Sequence, residues 1–229
     1  MMVACGQPRT PPRRAGGAVT IEFFIVAAGV FIPLVLGVLQ MGMLMMAKNT
    51  VNLAALSVAR AGAASGGDAG EMRRAYASAL APLYASAALN ANLTDVNYPA
   101  AMTATYARAL IEVATPLTSY QVLNPTPASF RDFGVTRNGV RVIPVTGLDT
   151  SNGVGASSRQ RRSDALLLKI QVRHCYRLVF PIIDRMIIGT LRRFNVNAGD
   201  QMCYAANGVP IQAQGVVRMT VPPRSNNFR

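Results

Sequence analysis

The sequence lacks most of the residues from which enzymes build catalytic sites. It has no Trp, one His, and ten acidic residues spread along 229 positions. No Cys or His pattern has the spacing of a metal site, and no carboxylate pair stands out. The one histidine, His174, precedes Cys175, and a nucleophilic pair would need further partners that the sequence does not place. We therefore predict that the chain is not an enzyme, that it uses no cofactor or metal, and that His174 is a surface or structural residue.

Negative charge is scarce relative to positive charge. The 23 Lys and Arg residues against 10 Asp and Glu give a formal charge of +13, and 21 of the 23 are Arg. Such basicity can serve nucleic acid or other anionic partners, but a uniform Arg bias can also reflect genomic composition. The tightest cluster, at residues 159–162, lies in a Gly/Ser-rich stretch without aromatic residues. We predict a solvated loop there and leave both explanations of the charge open.

One long stretch has no charge of either sign. Residues 23–47 form an apolar run of 25 residues, about 37 Å as a helix, against a hydrocarbon core of roughly 30 Å. The apolar part of a cleaved secretory signal is shorter, about 7–15 residues. Arg13 and Arg14 precede the run, and residues 1–17 contain no acid. The positive-inside rule therefore predicts a single-pass protein with a cytoplasmic N-terminus and the remaining chain outside.

The junction before the apolar run resembles the processing site of type IV prepilins. Those proteins are cut after a Gly, with a Glu at the fifth mature position, and here Gly17 precedes Ala18 and Glu22 is fifth. An acid within a membrane segment costs up to about 2.5–3.5 kcal/mol. Cleavage would create an amine at Ala18, which shares a helix face with Glu22 and could pair with it in the same or a neighbouring chain. The alternative is an uncleaved signal anchor with Glu22 at the membrane interface.

Several further segments resemble the TadE-like minor pseudopilins of the tight-adherence (Tad, or Flp pilus) system. The resemblance is carried by residues 17–24 and 52–63, and more loosely by residues 168–176, 178–181 and 209–219. Phe23 departs from the major Flp pilins, which have Tyr after the Glu, and this favours a minor pseudopilin.

The resemblance implies a subunit of the bacterial inner membrane with a periplasmic head. It implies prepilin peptidase, other Tad pseudopilins and the pilus assembly machinery as partners, and leaves open whether the protein enters the pilus, stays in the membrane or is secreted. The alternative function is a membrane-anchored or pilus-tip module whose basic head captures DNA or anionic surface polymers. Loss of the leader would remove three Arg, so the mature charge would be 13 − 3 = +10.

Cysteine usage agrees with an oxidising compartment. Cys5 lies in the leader, so cleavage would leave Cys175 and Cys203. One bridge between them would close a loop of 28 residues and contribute on the order of 3 kcal/mol by the chain-entropy model. The alternative is two separate buried thiols.

The patterns predict an α+β fold in three parts. These are a leader at 1–17, a transmembrane and assembly helix at 18–65 with a kink at Pro33, and a periplasmic head at 66–229. The head is expected to combine a small antiparallel sheet with packing helices. We predict helices at 71–89, 99–113 and 182–194, a hairpin at 135–142, a loop at 147–163, and strands at 165–179 and 211–221.

Overall fold

A computed structural model describes residues 18–89, 98–147, 153–194 and 197–228, and it has the predicted α+β architecture. The first part is one long helix made of α1 (Ala18–Val26), a π-helical turn (Ala27–Phe31) and α2 (Ile32–Ser65), together called the N-terminal helix. The other helices are α3 (Ala69–Leu89), α4 (Tyr98–Ala114), α5 (Pro127–Phe133), α6 (Arg162–Ala165), α7 (Pro181–Phe194) and α8 (Ala198–Ala205). The strands are β1 (Ser119–Asn124), β2 (Val135–Arg137), β3 (Val140–Val142), β4 (Leu167–Arg177) and β5 (Gly208–Arg218).

The N-terminal helix ends where the glycine-rich segment begins. Gly66 follows Ser65 with φ 69°, a left-handed conformation that glycine adopts without a steric penalty. The N–H of Gly67 then donates to the carbonyl of Gly62 at 2.8 Å. The Asp68 carboxylate, one residue after Gly67, accepts the Glu71 N–H at 2.9 Å and caps α3.

The main sheet has three antiparallel strands in the order β1–β4–β5. The central strand, β4, alternates in burial, with Leu168, Ile170 and Val172 fully buried on the face towards the core. This period of two is the pattern of a sheet covered on one side. Helix α2 covers that face, α3 packs beside α2 and adds Met72 and Tyr76 to the same core, and α4 packs on α3.

A stripe of small residues lets α2 lie close to the sheet. Its buried positions recur every three or four residues and include Val51, Ala54, Ala55, Val58 and Ala59. Opposite them Gly215 of β5 comes so close that a Cβ added there would lie 2.3 Å from the carbonyl oxygen of Ala55. The hydrophobic core is therefore built between the upper part of the N-terminal helix and the sheet.

The sheet packs against only the second half of the N-terminal helix. At one end of the contact, Gln40 bonds to the backbone just beyond β4; at the other, Thr220 and Val221, just beyond β5, donate to the Ala63 carbonyl. Residues 40–63 rise about 35 Å as a helix, close to the roughly 33 Å spanned by the 11 residues of β5. The packed part of the helix, residues 40–63, is therefore about as long as β5, and the head ends at Gln40.

The hairpin β2–β3 forms as predicted. Asn138 and Gly139 both have positive φ, 49° and 76°, as the tightest two-residue turns require. Val142 bridges to Arg224, whose N–H donates to the Gly66 carbonyl. The hairpin thus lies at the end of the head away from Gln40.

The structure adds elements that the sequence patterns did not indicate. They are β1, α5 and α8, which are short segments of mixed polarity. The predicted helices are confirmed within one or two residues. Strand β4 is two residues shorter at each end than the predicted 165–179, since residue 165 belongs to α6, and β5 lies three residues earlier than the predicted 211–221. The predicted loop is ordered over its described part, because Val154 bridges to Arg161 and α6 begins at Arg162.

Gly215→Ala is expected to lower the free energy of unfolding by about 1–3 kcal/mol, because the new methyl group would push the strand away from the Ala55 carbonyl. Chemical unfolding of the full chain in detergent, followed by circular dichroism, measures the change. Gly153→Ala is the matched control, since a Cβ there meets no heavy atom within 4 Å. Equal stability of the two variants would contradict the close helix–sheet contact.

Candidate functional site

The first half of the N-terminal helix projects from the head without a cover. None of residues 20–39 is buried, and the rings of Phe23 and Phe24 are 69% and 65% exposed. From Gln40 onward, buried positions recur along the helix. The 20 residues of the uncovered segment, 20–39, rise about 30 Å as a helix, which equals the thickness of a bilayer core. An apolar surface of this size on a folded protein marks a site of association with lipid or with other apolar helices.

Length and hydropathy indicate the same segment as a candidate membrane span. Among the described residues, one helix, Thr20–Ser65, is long and apolar enough to cross a membrane. Its most apolar window has a mean hydropathy of 2.4, and none of that window is buried in the head. A single-pass membrane protein fits this arrangement, whereas its orientation stays a prediction.

The predicted processing site is only partly within the described residues. Arg13, Arg14 and Gly17 lie outside them, and α1 begins at Ala18. Glu22 is exposed one turn later and forms no ion pair with a described residue. Since the next basic residue is Lys48, about 39 Å further along the helix, a cation for Glu22 must come from the chain's N-terminus or from another molecule.

Pro33 lies directly after the π-helical turn. A proline cannot donate an intrahelical hydrogen bond, and its ring crowds the carbonyl four residues earlier, here Gly29. The π turn Ala27–Phe31 contains that carbonyl, so the wider turn accommodates the proline ring. The adjoining π turn is a recognised cause of bending and agrees with the expected kink, but the kink at Pro33 stays a prediction.

Gln40 is the polar residue at which the projecting segment meets the head. Its side chain is 1% exposed, and its Oε1 accepts the N–H groups of Val179 and Phe180, both at 3.2 Å. These are the residues immediately before α7. Sequence reasoning missed this contact, although an isolated amide within a long apolar run was the available signal.

The predicted disulfide is confirmed. Cys175 near the end of β4 is bonded to Cys203 in α8, with their Cα atoms 5.6 Å apart. Arg173 forms an ion pair with Asp200, which is 3% exposed, and so fixes α8 a second time. The 28-residue excursion between the two cysteines contains α7. The bridge therefore holds this excursion against the end of the sheet nearest Gln40.

His174 lies inside the head rather than on its surface. The ring is 2% exposed, with Nδ1 at 3.2 Å from the Thr118 hydroxyl and Nε2 at 3.4 Å from the Tyr84 hydroxyl. Burial disfavours the imidazolium and lowers the His174 pKa from 6.5 to about 4. Burial also raises the pKa of Tyr84, so both rings stay neutral at neutral pH. This environment is structural, as one of the two sequence interpretations held.

The arginine cluster is partly used by the fold. The Arg162 guanidinium donates to the carbonyls of Pro144 and Thr146 at 2.8 and 2.6 Å, and to that of Gly147 at 3.1 Å. Arg159 and Arg161 are exposed. The described part of the cluster is thus a loop with one structural arginine.

The same loop is held by a carboxylate of α5. Asp132 accepts N–H groups from Ser158 and Ser157 at 2.6 and 3.1 Å. Hydrogen bonds from Ser158, and less from Ser157, lower the Asp132 pKa. Across the described ranges, no three His, Cys, Asp or Glu side chains gather as a metal site would require.

The comparison with protein families supports the resemblance. Residues 17–60 match the family model described as TadE-like protein. No curated protein and no solved structure matches the chain. The match starts at Gly17 and covers the projecting segment and most of the packed part of the N-terminal helix. It is consistent with a TadE-like protein associated with the Tad pilus.

The stability of the head should depend on pH through His174. Because its pKa is lower in the folded state, the unfolded chain binds the proton more readily, and stability is lost as the pH falls from about 6.5 towards 4. The loss between neutral pH and pH 4 is expected to be about 3 kcal/mol.

His174→Gln should be less stable at pH 7 and should lack this part of the pH dependence. Urea unfolding of the full chain in detergent at pH 7, 6, 5 and 4 measures it. His174 is the only histidine, so carboxylate titration is common to both proteins and cancels in the difference. Parallel pH profiles would contradict a buried neutral imidazole.

Proposed function

We propose that this protein is a minor pseudopilin that takes part in assembly of the Tad (Flp) pilus. On this proposal prepilin peptidase cuts between Gly17 and Ala18, and the mature protein sits in the inner membrane with its head in the periplasm. The observation that carries the proposal is the N-terminal helix, which projects apolar and unpacked over residues 20–39 from a disulfide-bonded head. The family match over residues 17–60 supports the association with the Tad pilus.

The projecting half of the N-terminal helix, residues 20–39, suits two successive environments. Residues 20–39 expose only one ionisable group, Glu22, and can be solvated by lipid before assembly. The same surface can be buried against neighbouring helices after assembly, because lipid tails and apolar side chains solvate it about equally well. Gly29, Gly37 and Gly42 have no heavy atom within 4 Å of an added Cβ, so they leave room for a close neighbour. This arrangement supports a role for the chain as a structural subunit.

Glu22 is proposed to select the register of that packing. Its carboxylate has no described partner, and the positive end of the helix and the new Ala18 amine both favour a negative charge in the first turns. In lipid, the charge carries a cost that a pair with an amine removes. A neighbouring subunit that supplies the amine would therefore be held at one axial position.

Cleavage should produce a mature chain that begins at Ala18 only in cells that contain prepilin peptidase. N-terminal sequencing and intact mass of the protein from cells with and without the peptidase measure this. Gly17→Val is expected to block processing, whereas Gly16→Val, the same change one position earlier, should leave it intact. Any other mature N-terminus, or processing without the peptidase, would refute the proposed maturation.

Glu22→Val and Glu22→Gln should both abolish pilus assembly while cleavage and membrane insertion continue, because each removes the charge that pairs with the amine. The yield of sheared pili and the mature N-terminus are measured together. Glu71→Gln, which removes an exposed acid from α3, should assemble normally. If the Glu22 variants assemble like the parent, pairing does not set the register.

A further inference from the structure

The helix α7 begins where the projecting segment ends. Gln40 bonds to the backbone of Val179 and Phe180, and α7 starts one residue later at Pro181 and packs against α2. If residues 20–39 fill the hydrocarbon core, as the proposed function requires, α7 starts at the membrane boundary on the side of the head. The disulfide and the Arg173–Asp200 ion pair keep the excursion that contains α7 at this end of the sheet.

The helix α7 has an apolar face that the head does not cover. Ile188, on one side, is 7% exposed and belongs to the head's interior. On another side, Met186 is 65% exposed and Phe194 is 82% exposed. Together with Gly189, Thr190 and Arg193 these two side chains line one shallow concavity. In the described part of the chain, no large apolar side chain is more exposed than Phe194.

Positive charge borders this face. Arg185, Arg192 and Arg193 of α7 are all exposed, and Asp184 is the only acid of the helix, so its net charge is 3 − 1 = +2. Basic residues beside an exposed apolar face are typical of helices that lie in the interface of an anionic membrane. A second copy of the same face would bring like charges together, which disfavours self-association through it.

We propose that α7 is an interfacial helix that seats the membrane-proximal end of the head on anionic phospholipid. The face formed by Met186 and Phe194 lies at the boundary between headgroups and acyl chains, and the three arginines contact lipid phosphates. The head is then held against the leaflet at a second point besides the N-terminal helix. This inference rests on the proposed membrane insertion but not on the cleavage or on the pilus partners.

The absence of Trp makes single-tryptophan variants of the full chain suitable probes. Phe194→Trp reports on α7, and Phe31→Trp reports on the middle of the projecting segment. Val135→Trp, on the distal hairpin, is the control for an exposed apolar position that faces water. Each variant is reconstituted in phosphatidylcholine–phosphatidylglycerol vesicles that contain lipids brominated either near the headgroup or near the end of the acyl chain.

We expect Phe194→Trp to be quenched most by the shallow bromines and Phe31→Trp most by the deep ones, with Val135→Trp quenched by neither. Quenching of Phe31→Trp but not of Phe194→Trp would overturn the inference and leave membrane insertion intact. Loss of quenching at both positions would overturn the inference together with the membrane-inserted part of the proposed function.

The role of the arginines is tested in the Phe194→Trp background. In the parent variant, shallow quenching should be stronger in anionic vesicles than in phosphatidylcholine alone. The double change Arg192→Gln and Arg193→Gln should remove this difference in quenching. The matched change Arg137→Gln and Arg141→Gln removes the same charge from the distal hairpin. That variant should keep the stronger quenching in anionic vesicles. A preference that survives the α7 changes would overturn the proposed phosphate contacts.

A second copy of the chain is the competing occupant of this face. Nanodiscs that contain one chain each distinguish a lipid contact from a contact between two copies. The lipid contact persists in such discs, whereas a contact between copies cannot form. Shallow quenching that persists in single-chain nanodiscs supports the proposal. Quenching that appears only at more than one chain per disc would overturn it.

Discussion

The close contact between α2 and the sheet is the constraint on which the other features depend. Gly215 and the alanines of α2 allow backbone to approach backbone, and larger side chains at these positions would hold the layers apart. Because the helix is longer than the strands, this contact can cover only part of it. The sheet ends at Gln40, so the preceding residues are left exposed by the dimensions of the fold itself.

The lower end of this contact is reinforced by polar and covalent bonds rather than by apolar packing. The buried Gln40 accepts two backbone N–H groups that precede α7, and without these donors its side-chain oxygen would be buried at a cost. The Cys175–Cys203 bridge and the Arg173–Asp200 pair fix α8 nearby. These bonds fix a short helical excursion that has little core of its own.

Much of this organisation could be predicted because it depends on strong local signals. The uncharged run, the glycines at 66–67 and the Asn138–Gly139 turn each specify one conformation almost independently of context. The pairing of Cys175 with Cys203 followed from the count of cysteines once the leader was set aside. The elements β1 and α8 could not be predicted in this way, because tertiary partners stabilise them. Neither could the burial of His174, since the hydroxyls of Thr118 and Tyr84 come from distant parts of the chain. Helix α5 does have a local start signal, Pro127 after the capping Thr126, which sequence reasoning missed.

On the proposed function, the exposed half of the N-terminal helix passes from lipid to a bundle of helices, and Glu22 is the residue that distinguishes the two environments energetically. Apolar side chains gain little when they move from lipid to a bundle of helices, because both surroundings lack water. A carboxylate differs, since it is costly in lipid and favourable beside an amine at a helix N-terminus. On the proposed function, this surface of about 30 Å carries one acid, and the preference for a bundle and its axial register would both depend on that acid. The head, packed only above Gln40, leaves this choice to the projecting segment.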